Sequence, residues 1–353
     1  MNYKQELRDL VEIVIKESAS DLHLGEGRLP SIRTGGSLIP LANKPEITRE
    51  AIYGMLDVFL SVESKKRFLE LKQIDFAYSH DGRERFRGNV YFRQGLISIA
   101  LRLVPEDIKT LQELNLPPIL EVFTEKRQGF FLAVGPAGQG KSTTLASLVE
   151  IINQKRAEHI ITIEDPIEYV FKEKKSIIDQ REVRFDTPDF KSALRNVFRQ
   201  DVNVVMVGEM REIETISTAV TAAETGHFIL STLHTNSASQ TIERIIDVFP
   251  AGQQNQIRLQ LAGSLSGIFS QRLIPRIAGG LIPAYELLIN NTAVANIIRE
   301  NRIYEIDTVI ETSSGGGMID LNRSLVALVR KGEISSENAF KYSNNTKTLE
   351  RLL

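Results

Sequence analysis

The chain contains no cysteine and no tryptophan. Without Cys there is no disulfide, no thiolate nucleophile and no Cys-based zinc site. The lack fits a reducing compartment, although exported proteins without Cys are also common. Without Trp an aromatic belt at a membrane interface has little to build on. Charge of one sign is missing too. Lys plus Arg is 43, Asp plus Glu is 45 and the formal charge is −2, a poor balance for coating nucleic acid through bulk positive charge, though local basic clefts stay open. No apolar run reaches the roughly 18 residues of a membrane span. The longest, around Ile160–Ile163 and Val202–Val207, are of strand length. The opening residues Met1–Arg8 are charged and lack the apolar core of a signal peptide. The expectation is a soluble cytoplasmic protein.

What is present is ample core material. At 353 residues, 42% hydrophobic and 25% charged, the chain has room for about two domains. Leu7, Leu10, Val11, Val14 and Ile15 recur at helical spacing over 5–18. Short strand candidates follow at Asp21–Leu24, Ser31–Thr34, Asp75–Ser79, Phe86–Phe92 and Ile97–Leu103, with turns at Gly35-Gly36 and Asp81-Gly82. This predicts a small α+β domain over 1–105. A polar connection bracketed by Pro105 and Pro117-Pro118 predicts a linker over 106–118.

From Gly129 strands and helices alternate. Phe130–Val134, Ile160–Ile163, Val202–Val207 and Phe228–Leu233 read as buried strands. Helices are expected from Lys141 to about Asn153 and over Glu212–Thr225, the latter stopping at Gly226. Alternation of this kind predicts an α/β domain over 119–353, a mostly parallel sheet covered on both faces. The tail beyond about Gly252 reads as helical, over Ile257–Leu273, Ala293–Glu300 and Leu321–Lys331, with a flexible Ser/Gly loop at Thr312–Gly317.

Four segments carry chemistry. Gly135-Pro136-Ala137-Gly138-Gln139-Gly140-Lys141-Ser142 satisfies every fixed position of G-x-x-x-x-G-K-[ST] between a buried strand and a helix. Its glycines let backbone N–H groups turn toward phosphate, and the helix N-terminus adds partial positive charge. Lys141 would reach the β- and γ-phosphates of ATP, Ser142 would ligate Mg²⁺, and Thr143 would sit beside the α-phosphate. The strand ending in Glu164-Asp165-Pro166 offers Glu164 to orient or deprotonate a water, although a solvated strand end would carry the same residues. Val204–Arg211 runs an apolar strand out to Glu209, an acid placed to hold Mg²⁺ and its waters. Gly208 stands where many such enzymes keep Asp, leaving room for a water between protein and metal. In Gly226–Asn236 the polar cluster Ser231, Thr232, His234, Thr235 and Asn236 suits a γ-phosphate sensor, with His234 in that role. His227 and His234 are seven apart, so on one continuous strand they face opposite sides and make no zinc pair.

Together the P-loop, the Thr162–Tyr169 acidic box, Val204–Arg211 and the Gly226–Asn236 His box resemble the secretion ATPase superfamily, and within it the type IV pilus retraction ATPases. The resemblance spans nearly the whole chain, from Ser18–Leu24 through Arg85-Phe86-Arg87 and Ile245–Pro250 to Ser270–Pro275. It implies a PAS-like N-terminal domain and a RecA-like ATPase domain in a homo-hexameric ring, bound to ATP and Mg²⁺. It also implies a pilus platform protein of the inner membrane as partner, with membrane association only through partners and no direct contact with nucleic acid. N-terminal arginines reach the phosphates in the family, a role that falls here on Arg87, Arg93 and Arg102. Two departures stand out. The family's Gln-Arg-Gly is Arg93-Gln94-Gly95 here, and a one-residue shift turns a strand side chain to the other face. The family's Ala-Ile-Arg-Asn-Leu-Ile-Arg-Glu, linked to retraction, begins Ala293-Val294-Ala295-Asn296, so Ala295 replaces its first arginine. Extension-type members have a longer N-terminal region and a four-cysteine zinc motif, and this chain has neither. An accessory motor of the same kind, a RecA-like nucleic-acid translocase and a non-hydrolysing assembly factor are the alternatives.

Overall fold

The computed structural model describes residues 3–81, 84–105 and 107–353. Chain contacts group these residues into two units, one holding the described residues up to 105 together with 168–170, the other holding the rest. Gly82 of the expected turn and Glu106 of the expected linker lie outside the described residues. The remainder of that linker packs with the second unit, where Leu111 and Leu116 are buried.

In the first unit α1 (Tyr3–Lys16) precedes β1 (Asp21–Gly25), β2 (Ser31–Thr34) and β3 (Ser37–Pro40). Then come α2 (Arg49–Phe59), α3 (Val62–Leu71), β4 (Gln73–His80), β5 (Glu84–Arg93) and β6 (Leu96–Leu103). The strands form one antiparallel sheet in the order β3-β2-β1-β6-β5-β4. Alternation decides its faces. Phe86 and Val90 point into a core with Leu22, Leu24, Ile99 and Leu101, which the apolar stripe Leu7, Leu10, Val11 and Val14 of α1 joins. Gly88 lies between those inward residues because the Phe76 ring takes its side-chain space; a Cβ there would stand 2.1 Å from that ring. The β5–β6 hairpin turns on Gln94 and Gly95, at φ 49° and 81°. Positive φ at both central residues is the turn whose twist suits a two-residue hairpin.

In the second unit α4 (Glu121–Thr124) leads into β7 (Gly129–Val134), α5 (Lys141–Lys155), β8 (His159–Glu164) and β9 (Ile177–Glu182). After α6 (Phe190–Val197) come β10 (Val204–Val207), α7 (Ile213–Glu224), β11 (Phe228–Leu233), α8 (Ala238–Asp247) and α9 (Ala251–Ser264). Next is the antiparallel pair β12 (Leu265–Pro275) and β13 (Leu281–Ile289), followed by α10 (Thr292–Arg299), α11 (Ile306–Thr312), α12 (Leu321–Arg330), α13 (Ser336–Tyr342) and α14 (Thr346–Leu352). The sheet order is β13-β12-β7-β11-β10-β8-β9, parallel except at the β13 edge. The expected helix over Ile257–Leu273 is therefore corrected. It ends at Ser264, and the rest is a strand buried along nearly its whole length. A strand covered on both faces shows no alternation, and Ser270, Gln271 and Arg272 interrupt its apolar run, so period alone does not separate it from a helix. The expected Ser/Gly loop at Thr312–Gly317 contains a short 3₁₀ turn over Ser314–Gly316.

Glu286 on β13 is 7% exposed. Burial pushes its carboxyl up to about 7; the Ala238 N–H bond opposes the rise, Asp307 and Asp320 add to it, and Arg272 counters it. Glu311 and Lys341 line the same cavity. Because the folded value lies above the ordinary 4.5, the stability tied to this group is complete at low pH and is lost as pH rises through the folded value. At 1.36 kcal/mol per pKa unit the loss approaches about 3 kcal/mol. Glu286→Gln keeps an acceptor for Ala238 and removes the titration. Its unfolding midpoint should match wild type at about pH 4, below the unfolded value, and exceed it at about pH 8. A difference that does not change with pH would show that Glu286 carries no shifted charge.

Candidate functional site

The site forms where β7, β11, β10 and β8 end together, the end at which parallel α/β sheets hold ligands. β7 runs into the loop Gly135–Gly140, which opens α5. Gly135, Gly138 and Gly140 have φ of 146°, 73° and 81°, the region that favours glycine. Two of them also lack space: a Cβ on Gly135 would stand 2.5 Å from the Gln271 carbonyl oxygen, and one on Gly140 2.8 Å from Gln271 Nε2. Gly140 caps α5 directly before Lys141, so Lys141, Ser142 and Thr143 form its first turn, where backbone N–H groups have no helical partner.

Lys141 is 7% exposed. Its Nζ donates to the carbonyls of Gly135 (2.9 Å) and Pro136 (2.8 Å) and lies 3.4 Å from His234 Nδ1. An ammonium only donates, so Nδ1 is the accepting nitrogen and the ring proton belongs on Nε2. That nitrogen is 3.5 Å from Glu209 Oε2, which also pairs with Arg211 Nη2 at 2.9 Å. Lys141, His234 and Glu209 thus stand in line across the ends of three strands. Glu164, at the end of the next strand, is buried and accepts Thr162 Oγ1 (2.7 Å) and Gln180 Nε2 (3.2 Å). Two donors on its carboxylate fix its direction. Gly208 brings β10 close to β8: a Cβ there would meet the Ile163 oxygen at 3.3 Å and the Glu164 α-carbon at 3.5 Å. The space expected beside Gly208 for a bridging water is narrowed on that side by β8.

Of the polar cluster on the His box, His234 faces Lys141 and the other four are occupied elsewhere. Ser231 donates to the Val207 carbonyl (2.7 Å) and Thr232 to that of Gly208 (2.6 Å), fixing the end of β10. Thr235 bonds Thr241, and Asn236 accepts from Arg272. His227 and His234 both fall just outside β11, so strand alternation does not relate them. His227 packs edge-on against Phe198 and reaches the Ala222 carbonyl, a structural role.

Arg87, Arg93 and Arg102 belong to the first unit and share one face of its sheet. Arg87 and Arg102 are direct cross-strand partners, and Arg93 is six residues beyond Arg87 on β5. The Gln94-Gly95 turn therefore leaves Arg93 on the Arg87 face. Arg93 donates to Ser98 Oγ (2.8 Å) and the Glu26 carbonyl (2.6 Å), while Arg102 donates to Asp21 (2.8 Å). Burial would raise the Asp21 carboxyl, but hydrogen bonds from Ser20 and Arg102 outweigh it and hold it below the usual range. Missed from the sequence were Gln180, which orients Glu164, and Gln271, which packs on the P-loop. Both sit well along the chain from what they support; for Gln271 the available signal was a polar residue inside a buried strand, and for Gln180, on a polar edge strand, there was none.

A family model of type II/IV secretion system proteins matches residues 98–301. The chain belongs to the type II/IV secretion system protein family. Among curated members of that family, it is 39% identical to the type IV pilus retraction ATPase PilT of Pseudomonas aeruginosa, covering 95% of this chain and 97% of that one. It is 36% identical to the type IV pilus ATPase PilU of the same organism, covering 99% and 91%. The crystal structure of a pilus retraction motor PilT with bound ADP superposes with a TM-score of 0.90 at 44% identity, covering 98% of each chain. As a secretion system protein of this kind the chain has the expected α/β architecture. Among the described residues no helix is long and apolar enough to cross a membrane.

Proposed function

We propose that the chain is an ATP-hydrolysing motor, a ring of identical subunits that drives type IV pilus retraction from the cytoplasmic side of the membrane, docked on an inner-membrane platform protein. The observation that carries this reading is the line Lys141–His234–Glu209 at the mouth of the P-loop. In the described state Lys141 donates to two neutral carbonyls, those of Gly135 and Pro136. The β/γ-phosphates of ATP are anionic and compete for that cation with full charge. His234 then loses its donor and turns to the γ-phosphate, so one ring reads whether the third phosphate is present. Glu164 orients the attacking water or takes its proton.

The Ser142 hydroxyl and the Glu209 carboxylate are hard oxygen donors of the kind Mg²⁺ uses beside nucleotide phosphates and water. Among the described residues no cluster of three or more His, Asp or Glu could hold a metal by itself, and a nucleotide-bound Mg²⁺ needs none. When bound it would neutralise phosphate charge.

ATP turnover measured together with mass in solution tests the reading. Turnover by an assembly of about six chains is expected; a monomer with full turnover would sink the ring, and an assembly without turnover would sink the enzyme. Glu164→Gln and Glu209→Gln keep shape and lose charge. Each should bind ATP and release phosphate at least about 10²-fold more slowly. Normal rates from both variants would remove these acids from the mechanism.

An accessory motor is the second reading, favoured by Ala295. It is buried in the face that α10 turns to the core, a place without the family's arginine. Complementation of cells lacking their retraction motor separates the two: a retraction motor restores twitching alone, an accessory motor only beside an existing one.

A further inference from the structure

The P-loop and the His box are held by the same strand end. β12 lies beside β7, and its residues Gln271 and Arg272 point to opposite faces of the sheet. On one face Gln271, 3% exposed, accepts Thr144 Oγ1 with Oε1 (2.7 Å), and its Nε2 covers Gly140. Its carbonyl closes on Gly135, and the N–H of Leu273, two residues on, donates to Gln139 Oε1 at 2.6 Å. On the other face Arg272, 8% exposed, donates through Nη2 to the carbonyl (3.1 Å) and to Oδ1 (2.9 Å) of Asn236. Ser270 Oγ reaches the same carbonyl at 3.0 Å. Glu286, the cross-strand partner of Ser270, accepts the Ala238 N–H at 2.7 Å. The segment just after His234 is thus pinned from the hairpin by four hydrogen bonds.

We infer that Gln271 and Arg272 are positioning residues that fix the approach of Lys141 to His234, Gln271 by holding the P-loop and Arg272 by holding Asn236 behind the histidine. Neither touches the reacting atoms. The division of labour follows from the two faces: loosening Gln271 frees the loop that binds nucleotide, and loosening Arg272 frees the ring that reads the γ-phosphate. The inference rests on the ATPase reading for its kinetic consequences and on the geometry alone for its structural ones. A cavity of about 620 Å³ opens beside Arg272, so a shorter side chain meets no clash.

The test uses the full chain with Arg272→Gln, Asn236→Ala and Gln271→Ala, each measured by ATP kinetics, by binding of a fluorescent ADP analogue and by amide hydrogen exchange. Arg272→Gln and Asn236→Ala should lower kcat about tenfold or more, the value of one charge-assisted hydrogen bond, with KM and ADP affinity within about threefold of wild type. Exchange should quicken over 234–238 and stay unchanged over 135–144. Gln271→Ala should do the reverse, weakening ADP binding about tenfold and quickening exchange over 135–144. The Arg272→Gln/Asn236→Ala pair should be no slower than Arg272→Gln alone, since Asn236→Ala removes one of the two bonds that Arg272→Gln already breaks. Unchanged kcat in both single variants, or exchange rising over both segments together, would overturn the inference. If Arg272→Gln unfolds the chain, the exposed Asn236 decides alone through the same readouts. A wild-type chain that turns over no ATP would end the motor reading, and the exchange pattern would still decide the brace.

Discussion

Changing Lys141 to alanine leaves less than about a hundredth of the ATP turnover. Phosphoryl transfer asks little covalent chemistry of the protein, so positioning and charge stabilisation are most of the catalysis. Removing one preorganised stabilising group from such a site costs about 10²–10³ in rate. In the described state Lys141 Nζ donates to the carbonyls of Gly135 and Pro136 and lies against the ring of His234, and alanine puts no cation in its place. Alanine also unpairs His234 Nδ1, so the ring loses the contact that fixes its tautomer. Lys141→Arg keeps the charge but brings a longer planar fork into a space shaped for a point cation, and it should also fail. The assay is phosphate release by purified protein, with mass in solution and unfolding midpoint as controls for folding. A Lys141→Ala protein that keeps more than about a tenth of the wild-type rate would refute the P-loop assignment.

The P-loop was legible because its determinants are local. A buried strand, glycines at the left-handed positions and a helix start all lie within about a dozen residues, and the structure puts β7 and α5 within two residues of the expected bounds. The strands carrying Glu164 and Glu209 were legible for the same reason. What pairs across the chain was not. Ser231 and Thr232 looked like phosphate sensors because they are polar at a strand end, and their acceptors, the carbonyls of Val207 and Gly208, lie 24 residues away. β9 and α6 were missed because β9 is a polar edge strand with few fully buried positions and α6 spans only Phe190–Val197. β3 is exposed along its length and has no inward residue to announce it. The β12–β13 hairpin hid behind its own polar residues, which are there to hold the P-loop and the His box. The carry-over of Arg87, Arg93 and Arg102 came from resemblance, and the sheet register then placed them on one face.

That shared face lets the arginines be ranked. A guanidinium already committed to neighbours must break those bonds before it serves a phosphate. Arg93 is committed twice, to Ser98 and to the Glu26 carbonyl. Arg102 is committed once, to the buried Asp21, with its own side chain 65% exposed and open to water. Among the described residues Arg87 makes no side-chain hydrogen bond or ion pair, and the like charge of Arg102 directly across the strand favours any anion that comes between them. If these residues supply transition-state charge to ATP, Arg87→Ala should carry most of the loss. The full-length triple variant Arg87→Ala/Arg93→Ala/Arg102→Ala should turn over ATP at least about 10³-fold more slowly, the lower bound for an arginine finger, and still bind ADP through the P-loop. Arg102→Ala should lose less, and because it also removes a hydrogen bond from Asp21 it should let that carboxyl titrate higher. Arg93→Ala should act chiefly on stability, lowering it by about 1–2 kcal/mol through two lost hydrogen bonds, with turnover per folded molecule close to wild type. Single-variant turnover, ADP binding and thermal unfolding together test the ranking. Wild-type turnover by the triple variant would confine the chemistry to the P-loop unit, and a rate loss centred on Arg93 would mean that its two contacts break when nucleotide binds.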